Sequence, residues 1–188
     1  MEIDKFIKFY NGGTKVETIS SIIKFLSKKA KWKDAEILRD ETGEKLNKKI
    51  RDTKCYNFQD GSYSGIHWMH YLRFIITRYF REYTQENSAN VEEIVSLEAL
   101  KYGVGGHYVP HIDHCLSIPR TISCILFLNN EYEGGEINFH DPHDYKKIYK
   151  TVKPKPGACL MWPSNFIYPH SVSPVTKGTR YVIVSWLT

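Results

Sequence analysis

The chain has 188 residues, enough for one domain of ordinary size, and 41% of them are hydrophobic, including 13 Tyr, 9 Phe and 4 Trp; that much apolar surface builds a core and excludes disorder over most of the length. A formal net charge of +5, with Lys and Arg interleaved among Asp and Glu, supplies no basic block of the kind that grips phosphate backbones, so nucleic acid is not the expected partner. No apolar run approaches the roughly 20 residues of a bilayer span, and Met1-Glu2-Ile3-Asp4-Lys5 has mixed charge where a secretory signal is apolar, so the sequence predicts a soluble, cytoplasmic protein.

In chain order, Thr14-Lys15-Val16-Glu17 reads as a capping box, with the Thr hydroxyl and Glu17 satisfying free backbone N–H groups at a helix entrance. Ile19, Ile22, Ile23 and Leu26 then mark one face of that helix. A polar stretch follows from about Lys31 to Gly65. A second helix is marked by Trp68, Tyr71, Leu72, Ile75, Ile76, Tyr79 and Phe80, which recur at three- and four-residue steps and read as a core face rather than a cofactor face.

The pattern changes near Asn90. Short β-rich runs follow: Ser96–Tyr102, Thr121–Leu128, Glu136–Phe139, Ala158–Trp162, His170–Val172 and Thr179–Trp186. Turn signals separate them, among them Gly103-Val104-Gly105-Gly106, Asn129-Asn130, Gly134-Gly135, Lys155-Pro156-Gly157 and Lys177-Gly178. Helices followed by many short strands predict an α+β chain with a jelly-roll or barrel-like core. We read it as a single domain, with residues 1–94 a mainly helical support and residues 95–188 the β core. The cysteines Cys55, Cys115, Cys124 and Cys159 form no Cys-x-x-Cys pair. Cys124 and Cys159 sit in apolar runs as small buried hydrophobes, which fits a reducing compartment.

Three side chains carry the chemistry. In an extended segment, residues two apart face the same side, so His111 and Asp113 project together while Ile112 turns away. His170 must arrive from a distant strand. Two imidazoles and one carboxylate leave about half of an octahedral ion's positions open, which suits non-haem Fe(II) better than closed structural zinc. Other dense groupings fit less well. His107 and His111 are four apart, but glycines and Pro110 argue against a helix. His140-Asp141-Pro142-His143-Asp144 reads as a solvated hairpin loop. His67 and His70 belong to the second helix, and His114 reads as an exposed imidazole. No Gly-x-Ser-x-Gly elbow and no Gly-x-x-x-x-Gly-Lys phosphate loop occurs.

Tyr102-Gly103-Val104-Gly105-Gly106-His107-Tyr108-Val109-Pro110-His111-Ile112-Asp113, then Gly134-Gly135-Glu136, Pro156-Gly157, Pro169-His170-Ser171-Val172 and Gly178-Thr179-Arg180 through Trp186 together resemble the prolyl 4-hydroxylase-like branch of the 2-oxoglutarate/Fe(II)-dependent dioxygenases. The resemblance implies a double-stranded β-helix with supporting N-terminal helices. It implies iron ligation by His111, Asp113 and His170. It gives Arg180 the distal carboxylate of 2-oxoglutarate, for which a guanidinium fork is the best partner, and sets Tyr102 beside that carboxylate. Ile125, Phe127, Ile137, Val172 and Val184 match cosubstrate-pocket positions; Phe127 stands where some members have tyrosine. Arg120 and Trp186 match positions near the substrate entrance.

The activity so implied is hydroxylation of a C–H bond, with 2-oxoglutarate decarboxylated to succinate, O2 consumed and ascorbate assisting. The implied substrate is a prolyl residue in a peptide or protein. A nucleic-acid oxidative demethylase and a non-catalytic cupin-like metal-binding protein are the competing readings. Residues Gln59 to Gly65 and Asp141 to Lys150 read either as flaps over the site or as ordinary surface connections. The oligomeric state is not legible.

Overall fold

A computed structural model describes residues 3–37, 43, 45–153 and 155–188. After a 3₁₀ turn at Ile3–Phe6, the first half comprises β1 (Lys8–Tyr10), α1 (Val16–Lys28), β2 (Lys33–Asp34), β3 (Arg51–Asp52), β4 (Lys54–Asn57) and α2 (Tyr63–Asn87). The second half is all strand: β5 (Ile94–Tyr102), β6 (His107–His111), β7 (Ile122–Phe127), β8 (Tyr132–Gly134), β9 (Ile137–Asp141), β10 (Asp144–Val152), β11 (Cys159–Pro163), β12 (His170–Val172), β13 (Val175–Gly178) and β14 (Arg180–Leu187).

These strands form an antiparallel sheet in the order β1-β11-β7-β14-β5-β4-β2, a second in the order β10-β9-β12-β6-β3, and a small β13-β8 pair. The two larger sheets stack as a double-stranded β-helix. Strand periodicity then divides the core in two. From β7, Cys124 and Leu126 face the helices, where they pack with Ile22, Leu26, Leu72 and Ile76. Ile125 and Phe127 face inward and meet Ile137, Phe139 and Val172 of the smaller sheet. Every residue of β7 is therefore buried, which is why its sequence is apolar apart from Ser123.

Three local expectations change. Helix α1 begins at Val16, with Lys15 at its N-cap and no capping side chain. Thr14 is instead buried by tertiary packing, so the predicted capping box does not form. The polar stretch from Lys31 to Gly65 holds β2, β3 and β4, which edge both sheets; strands of two to four residues carry too little periodicity to be seen in sequence. Residues 38–42 and 44 of that stretch, like Met1 and Glu2 of the opening segment, lie outside the described residues. Finally, β9 continues through His140, which is buried with its Nε2 2.8 Å from Ser171 Oγ rather than solvated in a loop.

No helix among the described residues is long and apolar enough to cross a membrane. The second helix packs its apolar stripe on the larger sheet, and Leu72 is wholly buried there. Replacing Leu72 with Ala should cost about 2–5 kcal/mol in urea denaturation, by lost burial plus a cavity. A loss below about 1 kcal/mol would show that α2 is not integral to this core.

Candidate metal centre

The register of the smaller sheet builds the site. β12 pairs antiparallel with β6 so that His170 lies directly opposite His111. Two residues further along β12, Val172 pairs with Tyr108, three residues back on β6. The extra residue is a bulge, located where Pro110 has no N–H to give to the ladder. Asp113 follows just beyond the end of β6.

The three ligand atoms lie within 4.8 Å of one another, and this is the metal-competent grouping found among the described residues. His111 Nε2 is 3.7 Å from Asp113 Oδ1, and His170 Nε2 is 3.5 Å from Asp113 Oδ2. Such separations suit ligands sharing one ion at bond lengths of roughly 2.0–2.2 Å. Both imidazoles are set by backbone carbonyls. Nδ1–H of His111 donates to Val109 O at 2.9 Å, and Nδ1–H of His170 donates to Tyr168 O at 3.1 Å. A carbonyl only accepts, so both Nε2 lone pairs are left for a metal. The ring of His111 stacks on Tyr108 with centroids 3.5 Å apart, and Arg51 covers the other side of the column at 4.8 Å.

Burial, and then the neighbouring His170, push the His111 imidazole down to about 3. Burial opposes ionisation of Asp113, but His170, His111, Ser123 and Trp186 outweigh it and hold the carboxyl at about 2. The metal-free site is thus poised with a neutral imidazole and a carboxylate, the forms that bind a metal.

A cavity of 350 Å³ opens onto this triad. Of the predicted pocket residues, Tyr102, Ile125, Ile137, Val172 and Val184 line it, as do Arg120 and Trp186. Arg120 lies flat on Trp186, its Cζ 3.7 Å from the ring, with Nη1 3.9 Å from Asp113 Oδ1. Arg180 and Phe127 do not line the cavity wall. Arg180 is 0% exposed, its Cζ 4.8 Å from the Tyr102 ring and 5.5 Å from the Phe127 ring. Its Nε, Nη1 and Nη2 make no hydrogen bond of good geometry among the described residues, although the buried, neutral Tyr132 hydroxyl lies close enough to feel the guanidinium. A wholly buried, unpaired cation is costly, so this group is set up for an anion to answer it. Gly135 makes the guanidinium's position available: it has φ +66°, and a Cβ there would come within 3.0 Å of Arg180 Cδ.

Several neighbours of the site escape sequence reasoning. Tyr108 lies within the motif but carries no ligand chemistry, and Arg51 arrives from an unrecognised strand. The cavity is also lined by Lys33, Asp34, Ala35 and Glu36, whereas neither Gln59 to Gly65 nor Asp141 to Lys150 reaches it. The first of those two segments is instead pinned by Asp60, which accepts from Tyr56 Oη at 2.8 Å and from Ser62 N at 2.9 Å. Ser123 had a legible signal, being the inward-facing hydroxyl in an otherwise apolar strand. Cys124 and Cys159 are buried free thiols with sulfurs 3.2 Å apart.

Comparison with known proteins bears on this geometry. Residues 97–188 match the family model of the 2OG-Fe(II) oxygenase superfamily. Prolyl 3-hydroxylase 2 of Homo sapiens is 34% identical over 92 residues, covering 42% of this chain and 13% of that protein. A PKHD-type hydroxylase of Aliarcobacter butzleri is 33% identical over 111 residues, covering 54% of this chain and 46% of its own. The chain thus spans less than half the length of these curated relatives. Among solved structures, a prolyl hydroxylase from Trichoplax adhaerens, in complex with a hypoxia inducible factor oxygen degradation domain peptide fragment, superposes with a TM-score of 0.75 at 17% identity over 97% of this chain and 83% of that one. The viral collagen prolyl hydroxylase of Paramecium Bursaria Chlorella virus-1 gives 0.67 at 17% identity over 100% and 98%. Both share the fold.

The pKa of His111 has a consequence for the metal-free protein. The unfolded chain takes up a proton near pH 6.5, whereas the folded site resists until about 3. Stability present above pH 6.5 is therefore lost progressively as pH falls toward 3. Urea midpoints of the metal-free protein should drop steadily between pH 7 and 4, and the drop should be shallower in His111→Ala.

Proposed function

Because residues 97–188 belong to the 2OG-Fe(II) oxygenase superfamily, we propose that this protein is a 2-oxoglutarate- and Fe(II)-dependent dioxygenase that hydroxylates a prolyl residue in a peptide or protein. The observation that carries this reading is the pairing of an open His-Asp-His face with a buried guanidinium that has no counter-ion among the described residues. A structural zinc site explains the first feature and leaves the second stranded.

His111, Asp113 and His170 would hold the iron. When bound, iron and 2-oxoglutarate supply the oxidising chemistry, with the cosubstrate decarboxylated to succinate, O2 consumed and a C–H bond hydroxylated. Arg180, buried just behind the cavity-lining Tyr102, would meet the cosubstrate's second carboxylate, where burial strengthens a charge-assisted bond. Tyr102 lies over the same guanidinium and lines the cavity, so it orients that carboxylate. Ile125, Ile137, Val172 and Val184 give the cosubstrate chain apolar walls and exclude water, while Phe127 packs behind them. Arg120 and Trp186, stacked at the metal's edge, present a fixed donor plane to a peptide's carbonyl groups. The names of the relatives and the peptide bound in the Trichoplax structure support a prolyl substrate. Ascorbate would restore iron oxidised in unproductive cycles. Free thiols at all four cysteines fit a reducing, intracellular setting.

Two experiments test the reading. Succinate formation with proline-containing peptides should fall to background in His111→Ala and in Asp113→Ala, together with loss of iron binding; full succinate production by either variant removes the assignment. Arg180→Ala should raise the 2-oxoglutarate KM by about 10- to 100-fold, the worth of a charge-assisted pair, and leave iron affinity near wild type. An unchanged cosubstrate requirement contradicts the role given to Arg180.

A further inference from the structure

Asp113 sits where the sheet cannot hold it. It lies past the last residue of β6, so no ladder bond fixes its backbone. The nearest main-chain tie is His114 N donating to Ser164 O at 3.1 Å. Its carboxylate, by contrast, is gripped. Ser123 Oγ donates to Asp113 Oδ2 at 2.6 Å, a short charge-assisted bond. Ser123 belongs to β7, which has a neighbour on each side and is 1% exposed at this position.

A hydroxyl has one proton to give. With that proton directed at Asp113, the 2.7 Å contact between Ser123 Oγ and Ser164 Oγ must be a donation from Ser164. Ser164 is 1% exposed, and its backbone N–H is bonded to Thr121 O at 2.9 Å. The chain Ser164 to Ser123 to Asp113 therefore runs in one direction, with both serines buried and its backbone anchor at the serine end. Other groups near the carboxylate are less committed to it: Arg120 Nη1 stands 3.9 Å from Oδ1 and lies on Trp186, which also favours the ionised carboxylate.

We propose that Ser123, held by Ser164, is a positioning residue that keeps Asp113 a one-oxygen metal ligand. This role rests on the metal centre proposed above and follows from a count of coordination positions. Two imidazoles and one carboxylate oxygen fill three of six places. A cosubstrate binding through two oxygens, plus dioxygen, needs the other three. A carboxylate chelating through both oxygens would take a fourth place and leave one too few. The bond from Ser123 occupies one lone pair of Oδ2 and fixes the rotation of the carboxylate, so swinging both oxygens onto one ion means bending or breaking a short charge-assisted bond.

The test is anaerobic titration of metal-free protein with Co(II), read by calorimetry and by the visible ligand-field bands, then repeated with 2-oxoglutarate on the Co(II)-saturated protein. Ser123→Ala should bind Co(II) about 10- to 100-fold more weakly, as loss of a ligand's supporting hydrogen bond generally does. Its bands should differ from wild type, and 2-oxoglutarate should perturb them only at higher concentration. Ser123→Thr, which keeps the hydroxyl, should restore both readouts, and Ser164→Ala should fall between. If Ser123→Ala proves unfolded by circular dichroism, Ser164→Ala alone decides, and its wild-type behaviour would refute the relay. A folded Ser123→Ala with wild-type affinity and bands overturns the proposal, as does failure of Ser123→Thr to rescue. His111→Ala separates the two levels. If it retains wild-type Co(II) binding, the metal centre itself is wrong; if it loses binding while Ser123→Ala does not, only the serine assignment falls.

Discussion

One strand pairing governs the whole site: β12 against β6, with His170 opposite His111. Side chains directly opposite each other in antiparallel strands are held about 5 Å apart by the backbone itself. A pair of imidazoles built this way needs no flexible loop to assemble it. The bulge at Pro110 lets β6 carry both His111 and Tyr108 toward the cavity. The strand then ends in time for Asp113 to turn in as the third member of the cluster. A one-residue slip in this register would send His170 to the opposite face of the sheet and dissolve the cluster.

Around that pairing, the two sheets divide the work. The smaller sheet supplies both imidazoles and the column in which Arg51, Tyr108 and His111 stack. The larger sheet supplies Ser123 from β7, Tyr102 from β5 and Arg180 from β14, the last two directly paired across adjacent strands. Arg180 is costly to bury, a cation with three unanswered donor atoms among the described residues. Its burial is tolerable because the rings of Tyr102 and Phe127 face it and because Gly135 leaves room for its chain. The helices never touch this chemistry. They cover the outer face of the larger sheet, so β7 and β14 are packed on both sides and hold their inward residues rigidly.

Some of this was legible in residue order. The strand runs from Ser96 to Trp186 fall on observed strands because each is β-branched or apolar enough to be buried whatever it packs against. The grouping of His111, Asp113 and His170 was legible because the ordered motif resembles one family's, and because His-x-Asp at alternate positions of an extended segment faces one way. The misses share a cause. Thr14 has the right neighbours for a cap but is drawn under the helix by packing. His140 looks polar and loop-borne but is buried where β9 continues. The segment from Lys31 to Gly65 looks like a connection but gives strands to both sheets and brings Lys33 to Glu36 and Arg51 to the cavity.

The sequence by itself determined the chemical inventory: a histidine and an aspartate facing one way, a further histidine and an arginine in later strands, and which strands alternate, since these follow from side-chain type and the two-residue period of an extended chain; the roles proposed for them came from the family resemblance. Only the tertiary structure decided the protonation-fixing partners Val109 and Tyr168, the hold of Ser123 on Asp113 and the placement of Arg51 and Tyr108 beside His111. Those contacts join residues far apart in the chain, or depend on where backbone carbonyls point, and both are set by sheet register rather than by local preference.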